Sequence, residues 1–386
     1  MKSNYNQLGQ YIEMVSRTNS DLKYGIEDVR GCSNTKQMMQ TRANLIERTY
    51  EKFIVLRPQE FVFNRRTTRN GEKIGMAYNN TDREYIFTND YVAFRVKQEY
   101  LDKLLPDYLY MFFCRDEFDR YARYKSTGSA TEFFNWEDMC AVPFEIPPMD
   151  FQQLVVNAYK VLNERIETKQ KINDNLANQA LALFSDFVSQ LNKELEQRKL
   201  GDVIASANTG GDAIQKVPIV DYDTGIKCAR VGDITNAREY TSWAFCNASK
   251  SVYDNYKLQA GDILVTRTAT LGITQYISKD ISAVYNNGLI RLKVNDTNAL
   301  PLYIYWAMKT SDFLNYINQM NSATSVRPNM KIDYLLNYQL SIPSIEEQTQ
   351  FTNAVEPLMN AISLNNDEIL KLYEFQTIIL TTLSSR

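Results

Sequence analysis

One phrase occurs twice in this chain. Ile146–Leu154 reads IPPMDFQQL, and Ile342–Phe351 reads IPSIEEQTQF, 196 positions later. On that alignment Gln152 meets Gln348, Asn157-Ala158 meets Asn353-Ala354, Leu162 meets Leu358 and Ile166 meets Ile362. Earlier segments correspond in the same order. LGQYI (8–12) resembles LGDVI (200–204), LRPQEFVFNR (56–65) resembles LQAGDILVTR (258–267), and PDYLY (106–110) resembles PLYIY (301–305). A repeat spanning half the chain restricts the fold to two copies of one supersecondary plan.

Each copy has two parts. The first carries short aromatic and β-branched runs such as YIFTNDYVAFRV and GDILVTRT, which predict strands. PDYLYMFFCRDEFDRYARY and PLYIYWAMKTSDFLNYINQM predict helices by their three- and four-residue apolar spacing. The second part is one long helix. No glycine falls between Gly128 and Gly201, and Val155, Ala158, Leu162, Ile166, Ile172, Leu176, Ala180, Leu183 and Phe187 form an apolar stripe that Lys169 interrupts. Phe351, Val355, Leu358, Ile362, Ile369, Leu372, Ile379 and Leu383 form its counterpart, opened by a Ser344–Glu347 capping box. Unbroken length and a narrow stripe favour a coiled coil over a helix lying on a globular core. Pro357 is expected to kink the second helix or to cost ~3 kcal/mol. The expected fold is mixed α/β (α+β), with globules at 1–147 and 197–343. Long helices at 148–196 and 344–386 pair antiparallel in a pseudo-twofold arrangement.

Composition narrows the chemistry. The chain has 386 residues and no histidine, which excludes histidine triads and histidine metal sites. Its five cysteines form no C-x-x-C pair, which argues against a zinc cluster or disulfide framework and fits a reducing cytoplasm. No apolar run reaches the ~18 residues needed to span a bilayer, and the first residues lack a secretion-signal core. Phosphate-loop and dinucleotide-binding motifs are missing, and so is an amino-methyltransferase signature. Glu167-Thr168-Lys169 has the spacing of a nuclease half-site but falls on a polar helix face, so a solvated surface is the preferred explanation. The chain reads as non-catalytic, with no cofactor of its own.

What remains is recognition. Net charge is −3, so any basic surface must be local. In the first half, cations and polar residues gather at Arg65, Arg66, Arg69, Asn70 and Lys73, and again at Arg115, Arg120, Arg123, Lys125, Ser126, Ser129 and Thr131. The second half offers Arg267, Thr268 and Thr270, then Asn321, Thr324, Ser325, Arg327 and Asn329. Such side chains can hold phosphates or read base edges in a major groove. Solvated loops with incidental arginines remain the alternative for each cluster, and Arg65 and Arg267 also suit packing or ion pairing on a strand.

The IPP/IPS-x-[DE]-x-Q entry into each helix, RNGEKI (69–74) and STGSATEFFNWEDMC (126–140) resemble the specificity subunits of type I restriction–modification systems. The resemblance covers essentially the whole chain, more loosely in its second half. It implies two target-recognition domains joined by spacer helices, and double-stranded DNA as ligand. It further implies a bipartite asymmetric site, two methyltransferase subunits and optional restriction subunits as partners. S-adenosylmethionine, ATP and magnesium are then expected on those partners. A coiled-coil adaptor that binds no DNA and a metal-dependent nuclease using Glu167 are the competing readings.

Overall fold

The computed structural model describes residues 6–41, 45, 48–66, 73–128, 132–191, 197–210, 218–323 and 329–383; the side chains of 320–323 fall outside the description. The chain divides into two compact units, residues 1–167 with 369–386, and residues 168–368.

The first unit contains strands β1 (Ile12–Val15), β2 (Arg30–Cys32), β3 (Met38–Gln40), β4 (Ile54–Leu56), β5 (Phe61–Asn64), β6 (Met76–Tyr78), β7 (Tyr85–Phe87) and β8 (Tyr91–Val96). Helices α1 (Pro106–Phe113), α2 (Asp116–Lys125) and α3 (Trp136–Cys140) follow, and α4 (Met149–Gln190) begins here and continues into the second unit. The main sheet has the order β1-β8-β5-β6, all antiparallel, with Phe61 opposite Phe94 and Tyr78. Phe61, Phe63, Phe94, Phe113, Phe118 and Phe134 are fully buried between this sheet and the helices. Aromatic pairs of this kind, such as Phe61 on Phe94 at 5.0 Å, add to the stabilisation from buried apolar area.

The second unit contains β9 (Gln197–Lys199), β10 (Ile204–Thr209), β11 (Ile219–Val220), β12 (Lys227–Ala229), helix α5 (Val231–Thr235), β13 (Phe245–Cys246) and helix α6 (Lys250–Tyr256). Then come β14 (Ile263–Thr266), β15 (Thr274–Tyr276), β16 (Ala283–Tyr285), β17 (Leu289–Val294), α7 (Pro301–Ala307), α8 (Ser311–Ala323), α9 (Ile332–Leu336), β18 (Gln339–Ser341) and α10 (Ile345–Thr382). Its main sheet, β10-β17-β14-β15, repeats the topology of the first. A second sheet, β11-β13-β12-β16, includes a parallel β12–β16 pair.

The repeated phrases now have physical causes. Gln152 and Gln348 are both fully buried. Gln152 Oε1 accepts from Leu105 N–H at 2.9 Å, while its Nε2 donates to Lys103 O and Pro147 O. Gln348 accepts from Leu300 N–H at 2.8 Å and donates to Pro343 O at 2.9 Å. Each glutamine therefore ties the start of a long helix to the backbone just before α1 or α7. The LG phrase also repeats its contacts. Leu8 N–H donates to Val142 O and Leu200 N–H to Tyr338 O. A Cβ on Gly9 would lie 2.7 Å from Cys140 Cβ, so only glycine permits that approach.

The long helices pack antiparallel within each unit. In the first, Val155 shares a core with Leu383, and Leu162 and Ile166 meet Ile369 and Leu372. In the second, Phe184 and Phe187 meet Phe351 at 5.2 and 5.4 Å. The α10 stripe lies on the seam as expected, and two polar residues complete its heptads. Gln376 accepts no apolar role: its Nε2 donates to Asn163 Oδ1 at 2.6 Å. Asn365 joins Asn173 at 2.8 Å and accepts from Lys169 Nζ at 2.8 Å. In α4 the seam departs from the expected stripe. Ile172 and Leu183 are 40% and 41% exposed, while Asn173 and Phe184 face the partner helix. Ala158 is exposed too. An apolar stripe alone missed this because the seam accepts polar residues that pair across it. Ser344 and Glu347 form the expected capping box. The helix runs unbroken through Pro357. Pro357 and Asn353 are both exposed, so the carbonyl that loses its helical donor faces water.

Candidate nucleic-acid interface

In each unit three loops meet at one end of the main sheet. In the second unit they are the β14–β15 loop, the β16–β17 turn and the segment leading into α9. Met330 N–H donates to Arg267 O at 2.8 Å, Arg267 N–H donates to Gly288 O at 2.9 Å, and Thr268 bridges to Asn329. In the first unit Phe134 N–H donates to Arg65 O at 2.9 Å, Arg66 bridges to Phe133, and Asn64 pairs with Tyr91 at the β7–β8 turn. The equivalence is residue by residue: the position after the central strand receives the same backbone bond from the same returning segment.

The expected site residues distribute unevenly over these clusters. Arg65 is half-buried at the strand end and Arg66 is exposed, 3.4 Å from Asp90. Lys73 is exposed and lies 3.6 Å from Asp116. Lys125 lies 5.8 Å from the Tyr121 and Tyr124 rings, and Ser126 Oγ donates to Ala122 O at 2.8 Å, closing α2. Thr268 is half-buried, while Thr270 and Asn329 are exposed. Asn321 lies in α8. Arg69, Asn70, Ser129, Thr131, Thr324, Ser325 and Arg327 lie outside the described residues.

Several cations have structural occupations. Arg267 Nε donates to Met330 O at 3.1 Å and its Nη1 to Asn287 O and Oδ1 at 3.2 and 3.1 Å. It binds the three loops together. Arg115 donates to Leu383 O at 2.9 Å, near the C-terminal end of α10, where a cation complements the helix dipole. Burial holds its guanidinium below the usual arginine range. Arg120 pairs with Glu117 and Arg123 with Glu132. Lys169 lies 2.9 Å from Glu368, and Glu167 is exposed on α4.

Two features escaped sequence reasoning. Lys36 and Asp119 form a buried ion pair. Lys36 Nζ also donates to Ile74 O at 2.8 Å, and Asp119 accepts from Ile74 N–H at 3.0 Å, so the backbone just after Lys73 is clamped on both sides. Burial lowers the Lys36 pKa against the raising influence of Asp119. The second feature is the Asn286-Asn287-Gly288 turn, whose only sequence signal is a hairpin-type Asn-Gly between two strands.

Two units of one topology, each with a loop cluster at one sheet end and a share of a long antiparallel helix pair, define a duplicated scaffold. Residues 192–374 match the family model described as the type I restriction modification DNA specificity domain. The type I restriction enzyme MjaIX specificity subunit of Methanocaldococcus jannaschii is 22% identical, over 73% of this chain and 69% of that one. The crystal structure of the type I restriction–modification S subunit from M. genitalium shares the fold. Its TM-score is 0.50 at 12% identity, over 98% of this chain and 96% of that one. Residues 192–374 thus match a type I restriction modification DNA specificity domain, and the chain is similar to a specificity subunit of a type I restriction enzyme. Among the described residues no helix is long and apolar enough to cross a membrane.

Proposed function

We propose that this chain is the sequence-reading, non-catalytic subunit of a cytoplasmic type I methyltransferase and restriction complex. Its recognition domains are residues 1–147 and 197–343, and its spacers are 148–196 and 344–386. Each domain reads one half of a bipartite, asymmetric duplex site. The spacers hold two methyltransferase subunits, with restriction subunits added where the host encodes them. S-adenosylmethionine, ATP and magnesium belong to those partners, which flip and methylate an adenine.

One observation carries this reading: the same three-loop cluster is built twice at equivalent sheet ends from different side chains. The first presents Arg66 and Asp90, the second Thr268, Asn287 and Asn329. A shared backbone frame with unlike edges suits two different half-sites.

Mapping methylated adenines in cells that express the chain with its methyltransferase tests the proposal. The expected pattern is a split motif with unlike halves. Arg66→Ala should degrade one half only. Equal degradation of both halves would contradict modular reading. Absence of salt-sensitive duplex binding by the assembled complex would favour an adaptor that binds no DNA.

A further inference from the structure

The β16–β17 turn sits inside the second loop cluster and is built to expose hydrogen-bond donors. Asn287 Oδ1 accepts from Arg267 Nη1 at 3.1 Å. Asn286 Oδ1 accepts from Gly288 N–H at 3.1 Å. Both carboxamide oxygens are thus engaged within the protein. Flipping the Asn287 amide would set its NH2 against a guanidinium, donor on donor, so the orientation is fixed. Neither NH2 group has a partner among the described residues, and both asparagines are half-exposed. Gly288 keeps the turn seated: a Cβ there would lie 2.4 Å from Val231 Cγ2 and 2.9 Å from Thr268 Oγ1.

We infer that Asn286 and Asn287 form a donor-only contact of the second unit, made to meet paired acceptors on the duplex. This rests on the DNA-reading function proposed above. Paired acceptors occur at O6 and N7 of a guanine in the major groove and on phosphate oxygens. Adenine is a poor match, because bidentate recognition needs the amide oxygen to accept from N6 while the NH2 donates to N7. The equivalent turn of the first unit differs in kind, since Asp90 supplies an acceptor beside Arg66.

The test uses the complex of this chain with its methyltransferase subunits, on the site mapped for the wild type. Asn287→Asp is nearly isosteric and keeps an oxygen for Arg267, but turns the outward donor into an acceptor. Binding should fall roughly 10- to 100-fold, the range of one good base contact. If the acceptors are a guanine edge, the loss tracks one base pair of the second half-site, and 7-deazaguanine there weakens the wild type but not the variant. If they are phosphates, the loss is uniform across sequences and the salt dependence becomes shallower. Asn286→Asp should act in the same direction. Binding and methylation unchanged in both variants, with the wild type still sequence-specific, would overturn the inference and leave the DNA-reading proposal standing. A wild-type complex that binds no duplex specifically would defeat both.

Discussion

Lys309 illustrates how single residues in this fold bear tertiary loads. Its Nζ donates to Thr274 O at 2.8 Å and lies 5.0 Å from the centre of the Tyr305 ring. Burial lowers its pKa from 10.5 to about 8. Below pH 8 both folded and unfolded chains hold the proton, and the folded state carries the full penalty of a buried charge. Between about 8 and 10.5 the unfolded chain binds more protons than the folded one, so stability due to this residue rises with pH. Lys309→Met should therefore be favoured over wild type most at pH 7, with the advantage shrinking by pH 9.5. Urea midpoints of both proteins at the two pH values measure this, and a difference independent of pH would contradict the assignment. Lys36 differs, because Asp119 and Ile74 O share its charge, and removing one partner there would strand the other in the core.

At the scale of elements, the junction between globule and long helix depends on one buried glutamine in each unit. Gln348 supplies the acceptor for Leu300 N–H, the residue preceding α7, and a donor to Pro343 O. Gln348→Ala removes both and leaves a backbone pair without partners. An orphaned buried group costs about 1–3 kcal/mol, so the denaturant midpoint should fall accordingly. Unfolding at the wild-type midpoint would show that the motif is a marker of descent rather than a structural tie. The IP-x-x-x-x-Q spacing was legible in the sequence because it is local: proline precedes the helix and glutamine sits one turn into it. Its partners at 103, 105 and 300 were not, since they lie 47 to 49 positions away.

For the whole molecule, we propose that the long helices act as a ruler for the gap between the two half-sites, which gives a test of spacing. Four helix-forming residues inserted after Glu167, and four more after Glu368, lengthen both helices where Lys169 and Glu368 pair. Four residues add about 6 Å and about 40° of rotation. One base pair adds ~3.4 Å, and ~10–10.5 pairs make a turn. The insertion matches one to two pairs in rise, and both seams take the same stutter. The expected methylation motif keeps its half-sites and gains one or two pairs in the gap. An active variant that still methylates the original spacing would refute the role of these helices as the ruler.

The sequence alone determined the duplication, the strand-then-helix order in each half, the capping box and the continuous long helices. These rest on short-range pattern: period two, period three to four, and breakers at fixed offsets. It also matched Arg65 with Arg267, which occupy equivalent strand ends. Tertiary structure decided which of those side chains face outward. Arg267 is bonded to Met330, 63 positions away, and Arg115 to Leu383, 268 positions away, so neither arginine's role could be read from its neighbours. The same holds for the helix seam, where Lys169 and Asn173 lie inside because Glu368, Asn365 and Asn366 meet them there. A buried or paired polar group is defined by its partner, and partners brought together by chain reversal have no fixed spacing in sequence.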